Sequence, residues 1–182
     1  MKQSILLGGA KFQITLKRLA QQLIENHEDF SDTVMIGIQP RGTYLAKRLQ
    51  QEIKDISGVR VAAGKLDITF YRDDFRHKGA APLLANSTVI DFIVEEKNVI
   101  LVDDVLWTGR TIRAAIDALQ AFGRPGSVEL LVLVDRRFSR QIPIQPDYIG
   151  IQIDSIDSQK VIVRWKETDK KDEVELISDS QV

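Results

Sequence analysis

Asn98-Val99-Ile100-Leu101-Val102-Asp103-Asp104-Val105-Leu106-Trp107-Thr108-Gly109-Arg110-Thr111 is the stretch from which the rest of the chain can be read. Its opening half is apolar on both faces, as a strand buried inside a parallel sheet must be. Two adjacent carboxylates then end the strand, and burying them without a partner or a task is costly. Thr108 to Thr111 opens a helix. The first N–H groups of a helix lack intrahelical partners, and its dipole favours an anion there. Gly109 lets the backbone come close to a ligand, and the Thr108 and Thr111 hydroxyls add donors. An anion cup beside an acidic pair suits a sugar phosphate: the carboxylates accept from vicinal hydroxyls while the cup holds the phosphate.

The flanking segments extend the pattern in both directions. Upstream, Phe12, Leu16, Leu19, Ala20, Leu23 and Ile24 mark one face of a helix, with Lys17, Arg18, Gln21 and Gln22 opposite. Thr33 to Ile38 reads as a strand, followed by Gln39-Pro40-Arg41-Gly42 and a helix burying Leu45, Ala46, Leu49 and Ile53. Val59 to Tyr71 reads as extended. Residues 72 to about 91 are polar and aperiodic, as a functional loop would be. Downstream, Ile112, Ala115, Ile116, Leu119 and Phe122 predict a helix that Gly123 and Pro125 stop. Ser127 to Val134 predicts a strand, with shorter candidates at Tyr148–Ile153, Lys160–Trp165 and Glu173–Ile177. Alternation of strand and helix predicts an α/β fold with a mostly parallel, doubly wound sheet flanked by helices.

Composition removes several chemistries. The 182 residues contain no cysteine, which excludes disulfides, thiolate zinc sites and cysteine nucleophiles. His27 and His77 lie far apart in polar segments and do not suggest a metal site. A net charge of −1 confines any nucleic-acid contact to a local patch. The run after the strand is neither a Walker loop, lacking Gly-Lys-Ser/Thr, nor a dinucleotide fingerprint. The apolar run near Met1 is too short for a signal peptide, and no stretch approaches the ~20 apolar residues of a membrane span. The expectation is a cytoplasmic protein of one domain over residues 1–182, with no membrane contact.

Val99 to Thr111 resembles the phosphoribosyl pyrophosphate signature of type I phosphoribosyltransferases. Ile36 to Gly42, Asp67 to Asp74, Val132 to Arg136 and Ile142 to Gly150 extend the resemblance to one subfamily, the pyrimidine operon attenuator / uracil phosphoribosyltransferases. The similarity covers about residues 5 to 165. It implies a type I phosphoribosyltransferase fold with a small hood from the N- and C-terminal segments and a mobile loop at about 72–91. The implied reaction is uracil plus 5-phosphoribosyl 1-pyrophosphate giving UMP and pyrophosphate. Mg2+ is then expected mainly on substrate oxygens, with no protein metal ligand assigned.

By the same resemblance, Asp103 and Asp104 bind the ribose hydroxyls, and Val105, Leu106, Trp107, Thr108, Gly109, Arg110 and Thr111 wrap the 5-phosphate. Arg41 and Gly42 meet the pyrophosphate, and Arg72 closes on it from the loop. Arg136 contacts the nucleotide, and Val161 faces the base through its main chain. Asp103, Asp104, Arg41 and Arg72 form the expected catalytic set. Trp107 departs from the family, where a smaller aromatic is common. The family also includes attenuators that bind pyr mRNA through a basic face formed on subunit pairing, for which Lys17, Arg18, Arg137 and Arg140 are the candidates. A homodimer or larger assembly is implied. Two alternatives stand beside the enzyme: an RNA-binding regulator sensing uridine nucleotides with little catalysis, and a phosphoribosyltransferase for another base.

Overall fold

The computed structural model describes residues 2–73, 85–156 and 158–178. In chain order its elements are β1 (Lys2–Gly8), α1 (Gly9–His27), β2 (Thr33–Ile38), α2 (Gly42–Ser57), β3 (Ala62–Leu66), β4 (Asn98–Leu106), α3 (Arg110–Leu119), β5 (Ser127–Arg137), β6 (Tyr148–Asp154), β7 (Gln159–Arg164), α4 (Lys166–Asp169) and β8 (Glu173–Ser178). Five strands form one sheet in the order β3-β2-β4-β5-β6, every pair parallel. Its central strand is β4, buried from Val99 to Asp103 as its unbroken apolar run requires. One face packs on α1 and α2 through Leu16, Leu23, Leu45, Leu49 and Ile100. The other packs on α3 through Leu101, Ile112, Ala115 and Val132. This is the expected doubly wound architecture.

A second sheet, antiparallel and ordered β1-β8-β7, joins the two ends of the chain and forms the hood. Trp165, just beyond β7, is fully buried and meets Phe12 of α1 edge-to-face at 5.6 Å. That contact ties the hood to the main sheet's helical layer.

Several boundaries differ from the sequence reading. Val59–Tyr71 is not one extended run: β3 covers five of its residues and Thr69–Tyr71 turn as a 3-10 helix. β5 continues past Val134 to Arg137, placing Asp135 and Arg136 inside a strand. Of the apolar positions assigned to the core side of α3, Ile116 is 36% exposed, and Phe122, beyond the helix, is 42% exposed. Ala114 and Ala118 are buried instead. Small residues there let the helix lie close to the sheet, which rotates its buried face toward them. Of the polar loop expected at 72–91, residues 74–84 lie outside the described residues. Val89 forms an isolated bridge with Lys65 beside β3.

Candidate functional site

Reading across the main sheet, the chain runs outward from β2 to β3 in one direction and from β4 to β6 in the other. The reversal falls between β2 and β4. Ligands of open α/β sheets bind outside the carboxyl ends of the strands at such a point. Here the two segments leaving it are Gln39–Gly42, after β2, and Asp103–Thr111, at the end of β4 and the start of α3. The Gln39–Pro40 peptide is cis.

Gly42 fixes how close these segments come. A Cβ there would sit 2.2 Å from the Val102 carbonyl oxygen and 3.1 Å from the Asp103 Cα. Only glycine allows the start of α2 to rest on β4, and this carries Arg41 to the carboxylates. Arg41 Nη1 stands 3.9 Å from Asp104 Oδ2 and donates to the Val163 carbonyl at 3.0 Å. Gly109 adopts φ +89 immediately before α3, a conformation costly for side-chain-bearing residues. The turn sets the start of α3, where N–H groups lack intrahelical partners, directly after β4.

A cavity of about 1010 Å3 opens over these residues. Arg41, Arg72, Asp104, the whole run from Val105 to Thr111, Arg136 and Val161 line it. Gly42 and Asp103 lie beneath its wall: Asp103 is only 8% exposed, and its Oδ1 accepts the Asp104 backbone N–H at 2.9 Å. Burial, joined by repulsion from Asp104, pushes the Asp103 carboxyl well up, against the pull of the Asp104 amide and Arg72. Burial likewise pushes Asp104 up to about 6, while Arg41, backbone amides at Val105 and Asp104, and the Trp165 indole hold it down. The pair therefore resists carrying two negative charges and readily takes hydrogen-bond donors or a cation.

Arg136 enters the site differently from a free cation at a cavity wall. It is buried at 4% exposure and donates from Nε to Ser155 Oγ at 2.8 Å and from Nη2 to the carbonyls of Ile156 and Gln159 at 3.2 and 3.0 Å. Its guanidinium lies 4.8 Å from the Trp107 ring centroid. Trp107, the larger aromatic in the cup, is thereby stacked against a fixed cation. Arg110 pairs with Asp73 and donates from Nε to Gln141 Oε1 at 2.7 Å, so its head closes the side of the cup.

The four basic residues considered for RNA do not form one free patch. Arg18 donates to the Ile149 and Gly150 carbonyls at 3.1 and 2.5 Å, and Arg137 pairs with Asp154 through two bonds at 2.7 and 2.9 Å. Arg140 bonds both the Trp107 carbonyl and buried Asp135. It acts as a brace behind the cup. Lys17 is exposed on α1.

Sequence reasoning missed Asp73, Gln141 and the β7 residues flanking Val161, all of which line the cavity. Gln141 and Ile142 back the cup by donating their amides to the Thr108 carbonyl at 3.0 and 3.1 Å. No periodicity marks such a segment. The β7 strand was legible, but nothing in its sequence says which of its edges meets β4.

Comparison with known proteins agrees with this geometry. A family model described as the phosphoribosyl transferase domain matches residues 2–168. The chain is 46% identical over 173 residues to the bifunctional protein PyrR of Desulfosudis oleivorans, covering 95% of each chain. It is 44% identical over 176 residues to the bifunctional protein PyrR of Brevibacillus brevis, covering 97% of each. Among solved structures, a hypoxanthine phosphoribosyltransferase of Trypanosoma cruzi has a TM-score of 0.71 at 17% identity, covering 96% of both chains. One from Staphylococcus aureus has a TM-score of 0.69 at 20% identity, covering 94% of this chain and 90% of its own. At these identities the solved structures show the fold alone.

Proposed function

Because the chain belongs to the pyrimidine operon attenuator / uracil phosphoribosyltransferase family of type I phosphoribosyltransferases, we propose that its cavity transfers a phosphoribosyl group to uracil. The substrates are uracil and 5-phosphoribosyl 1-pyrophosphate, and the products are UMP and pyrophosphate. Uracil N1 bonds to the anomeric carbon as the bond from that carbon to pyrophosphate breaks, and the N1 proton is released. Positive charge builds on the ribose ring as the leaving group departs. No covalent enzyme intermediate is needed, and no side chain is assigned as general base. Catalysis rests on alignment and charge stabilisation.

The observation that carries the reading is the joint placement of three parts around one cavity: the Thr108–Thr111 cup, the Asp103–Asp104 pair and Arg41. The cup takes the 5-phosphate, the carboxylates take the ribose hydroxyls, and Arg41 and Arg72 face the pyrophosphate. Magnesium, when bound, neutralises charge on the leaving pyrophosphate. Among the described residues no three His, Cys, Asp or Glu side chains gather as a metal group. Magnesium at such sites is usually carried on substrate oxygens and water, with few protein ligands.

The base falls to the free edge of β7, one of the two outer strands of the hood sheet. The Gln159 carbonyl accepts from Arg136 and the Val163 carbonyl from Arg41, so both point away from β8. In an antiparallel strand every second residue presents its N–H and C=O to the same side. Val161, midway between the two, thus offers one donor and one acceptor to the cavity. A base edge with an adjacent N–H and C=O, such as the uracil imide, matches that pair.

The attenuator role belongs to the same family reading, with subunit pairing as part of it. For RNA we propose Lys17, Arg18 and Arg137 as contacts and Arg140 as the brace joining that segment to the cup. Replacing Arg140 by Ala strips a partner from the Trp107 carbonyl and leaves the buried Asp135 carboxylate with Gln152, at 3.3 Å, as its remaining side-chain hydrogen-bond partner among the described residues. The expected result is a KM for 5-phosphoribosyl 1-pyrophosphate raised about tenfold, the kinetic equivalent of one charge-assisted hydrogen bond of about 1.4 kcal/mol. Steady-state kinetics with uracil saturating decide it, and an unchanged KM removes Arg140 from the cup's support.

Turnover tests the function itself. Purified protein with magnesium, 5-phosphoribosyl 1-pyrophosphate and either uracil or hypoxanthine should form UMP and no purine nucleotide. Product from hypoxanthine alone would move the base assignment. No product from either, with the phosphate donor still bound, would leave a nucleotide-sensing RNA regulator.

A further inference from the structure

Trp165 carries an indole N–H into the core. The residue is fully buried, and its Nε1 has no hydrogen-bond partner among the described residues. A buried donor left unpaired is costly, so it is kept where something makes use of it. The ring cannot turn to seek a partner. Phe12 meets it edge-to-face at 5.6 Å, the Arg48 guanidinium lies 5.0 Å from its centroid, and Tyr44 closes a third side at 6.2 Å. Its backbone N–H is held by Asp169 Oδ2 at 3.2 Å. The donor is fixed, and any acceptor must come to it.

The acceptor at hand is Asp104. The indole is close enough to help hold that carboxyl in its charged form, yet it falls outside hydrogen-bond geometry. Asp104 also has slack on its other side, since Arg41 stands off at 3.9 Å. The charged groups around it are Asp103 on the same strand, Arg41 from the β2–α2 turn and Arg72 from the loop after β3. At that distance Arg41 does not fix the carboxylate in one orientation.

We propose that the Trp165 indole N–H is a positioning donor for Asp104, completing its hydrogen bond when a ribose diol draws the carboxylate into place. The hood would then orient an acid on the main sheet through a single bond. Trp165 touches no substrate, and its effect passes through Asp104. The inference rests on the reading of the cup as a ribose-phosphate site.

The test uses 15N-labelled full-length protein, whose two tryptophans give two indole N–H resonances, assigned with Trp107→Phe. Addition of UMP should move the Trp165 indole proton downfield, and Asp104→Asn should abolish that movement. Trp165→Phe keeps a ring against Phe12 and should lower kcat about tenfold with KM for the phosphate donor little changed, a loss equal to about 1.4 kcal/mol. If amides of Thr108–Thr111 respond to UMP while the Trp165 indole does not, this inference is overturned and the cup stands. If nothing responds, the cup reading itself falls. Should Trp165→Phe fail to fold, the resonance comparison with Asp104→Asn decides alone.

Discussion

Asp104→Asn lowers kcat/KM for 5-phosphoribosyl 1-pyrophosphate by about 10²–10³-fold and leaves the protein folded, with a thermal midpoint at neutral pH no lower than wild type. The loss of about 3–4 kcal/mol is that of a charged, preorganised contact to the transition state. An amide of the same shape keeps the packing. It loses the charge that faces a ribose ring turning positive, and it presents N–H groups to hydroxyls that need an acceptor. The stability side follows from the pH linkage. Burial holds the folded Asp104 carboxyl near pKa 6, above its ordinary 3.8, despite Arg41. A carboxyl raised on folding contributes stability below its unfolded pKa, and that contribution is lost as pH rises through the folded value. At neutral pH the native chain therefore carries this burden, and Asn does not ionise. Because the folded value already includes the Arg41 attraction, the midpoint of Asp104→Asn at neutral pH should lie at or above that of wild type.

The same titration shapes the wild-type rate. kcat/KM should fall as pH drops through about 6, where Asp104 takes up its proton, and the limb belongs to the coupled Asp103–Asp104 pair. Asp104→Asn should flatten it. Melting curves between pH 5 and 8 and a pH–rate profile make the comparison. Full turnover by a folded Asp104→Asn protein would remove the carboxylate from the mechanism.

Arg136→Ala should be the most destabilising single change at the site. The side chain holds Ser155 Oγ and two carbonyls, and it stacks on Trp107. Removing it leaves the Ile156 and Gln159 carbonyls without this donor and opens a void under the hood. Leaving a buried acceptor without its donor costs about 1–3 kcal/mol, so with three acceptors and a void the loss should reach about 3–5 kcal/mol, and at ~2–4 °C per kcal/mol the midpoint falls by about 10 °C. Arg136→Lys should not restore it, because one ammonium cannot span a hydroxyl and two carbonyls in a plane. UMP formation should drop as well, since Gln159 begins the strand that presents Val161. A variant that melts like wild type but loses uracil selectivity would show Arg136 to be a reader of the base and not a clamp.

Much of this site was legible before any coordinates. Val99 to Thr111 works as a motif because strand, acidic pair and helix N-terminus are consecutive, so local chemistry and local geometry coincide. Arg41 and Gly42 follow from the same rule at the end of β2. The roles of Arg136, Arg140 and Trp165 could not be read this way. Arg136 and Arg140 read as cations free for nucleotide or RNA. The structure turns both inward, because Asp135, the Trp107 carbonyl, the Ser155 hydroxyl and the Ile156 and Gln159 carbonyls meet them only after β5, β6 and the hood are assembled. The apolar face of α3 misled for a related reason: periodicity gives a stripe, but close approach selected Ala114 and Ala118 over Ile116.

The sequence by itself determined the fold class, the anion cup and the acidic pair, since each rests on residues adjacent in the chain. Tertiary structure alone decided which strand edge lines the cavity, which arginines are tied to carbonyls and carboxylates, and which indole is buried without a partner among the described residues. Those outcomes depend on pairings between different segments of the chain, as between Arg41 and Val163 at a separation of 122. No local spacing encodes them, because the partner of a buried polar group is chosen by whatever the whole fold brings within reach.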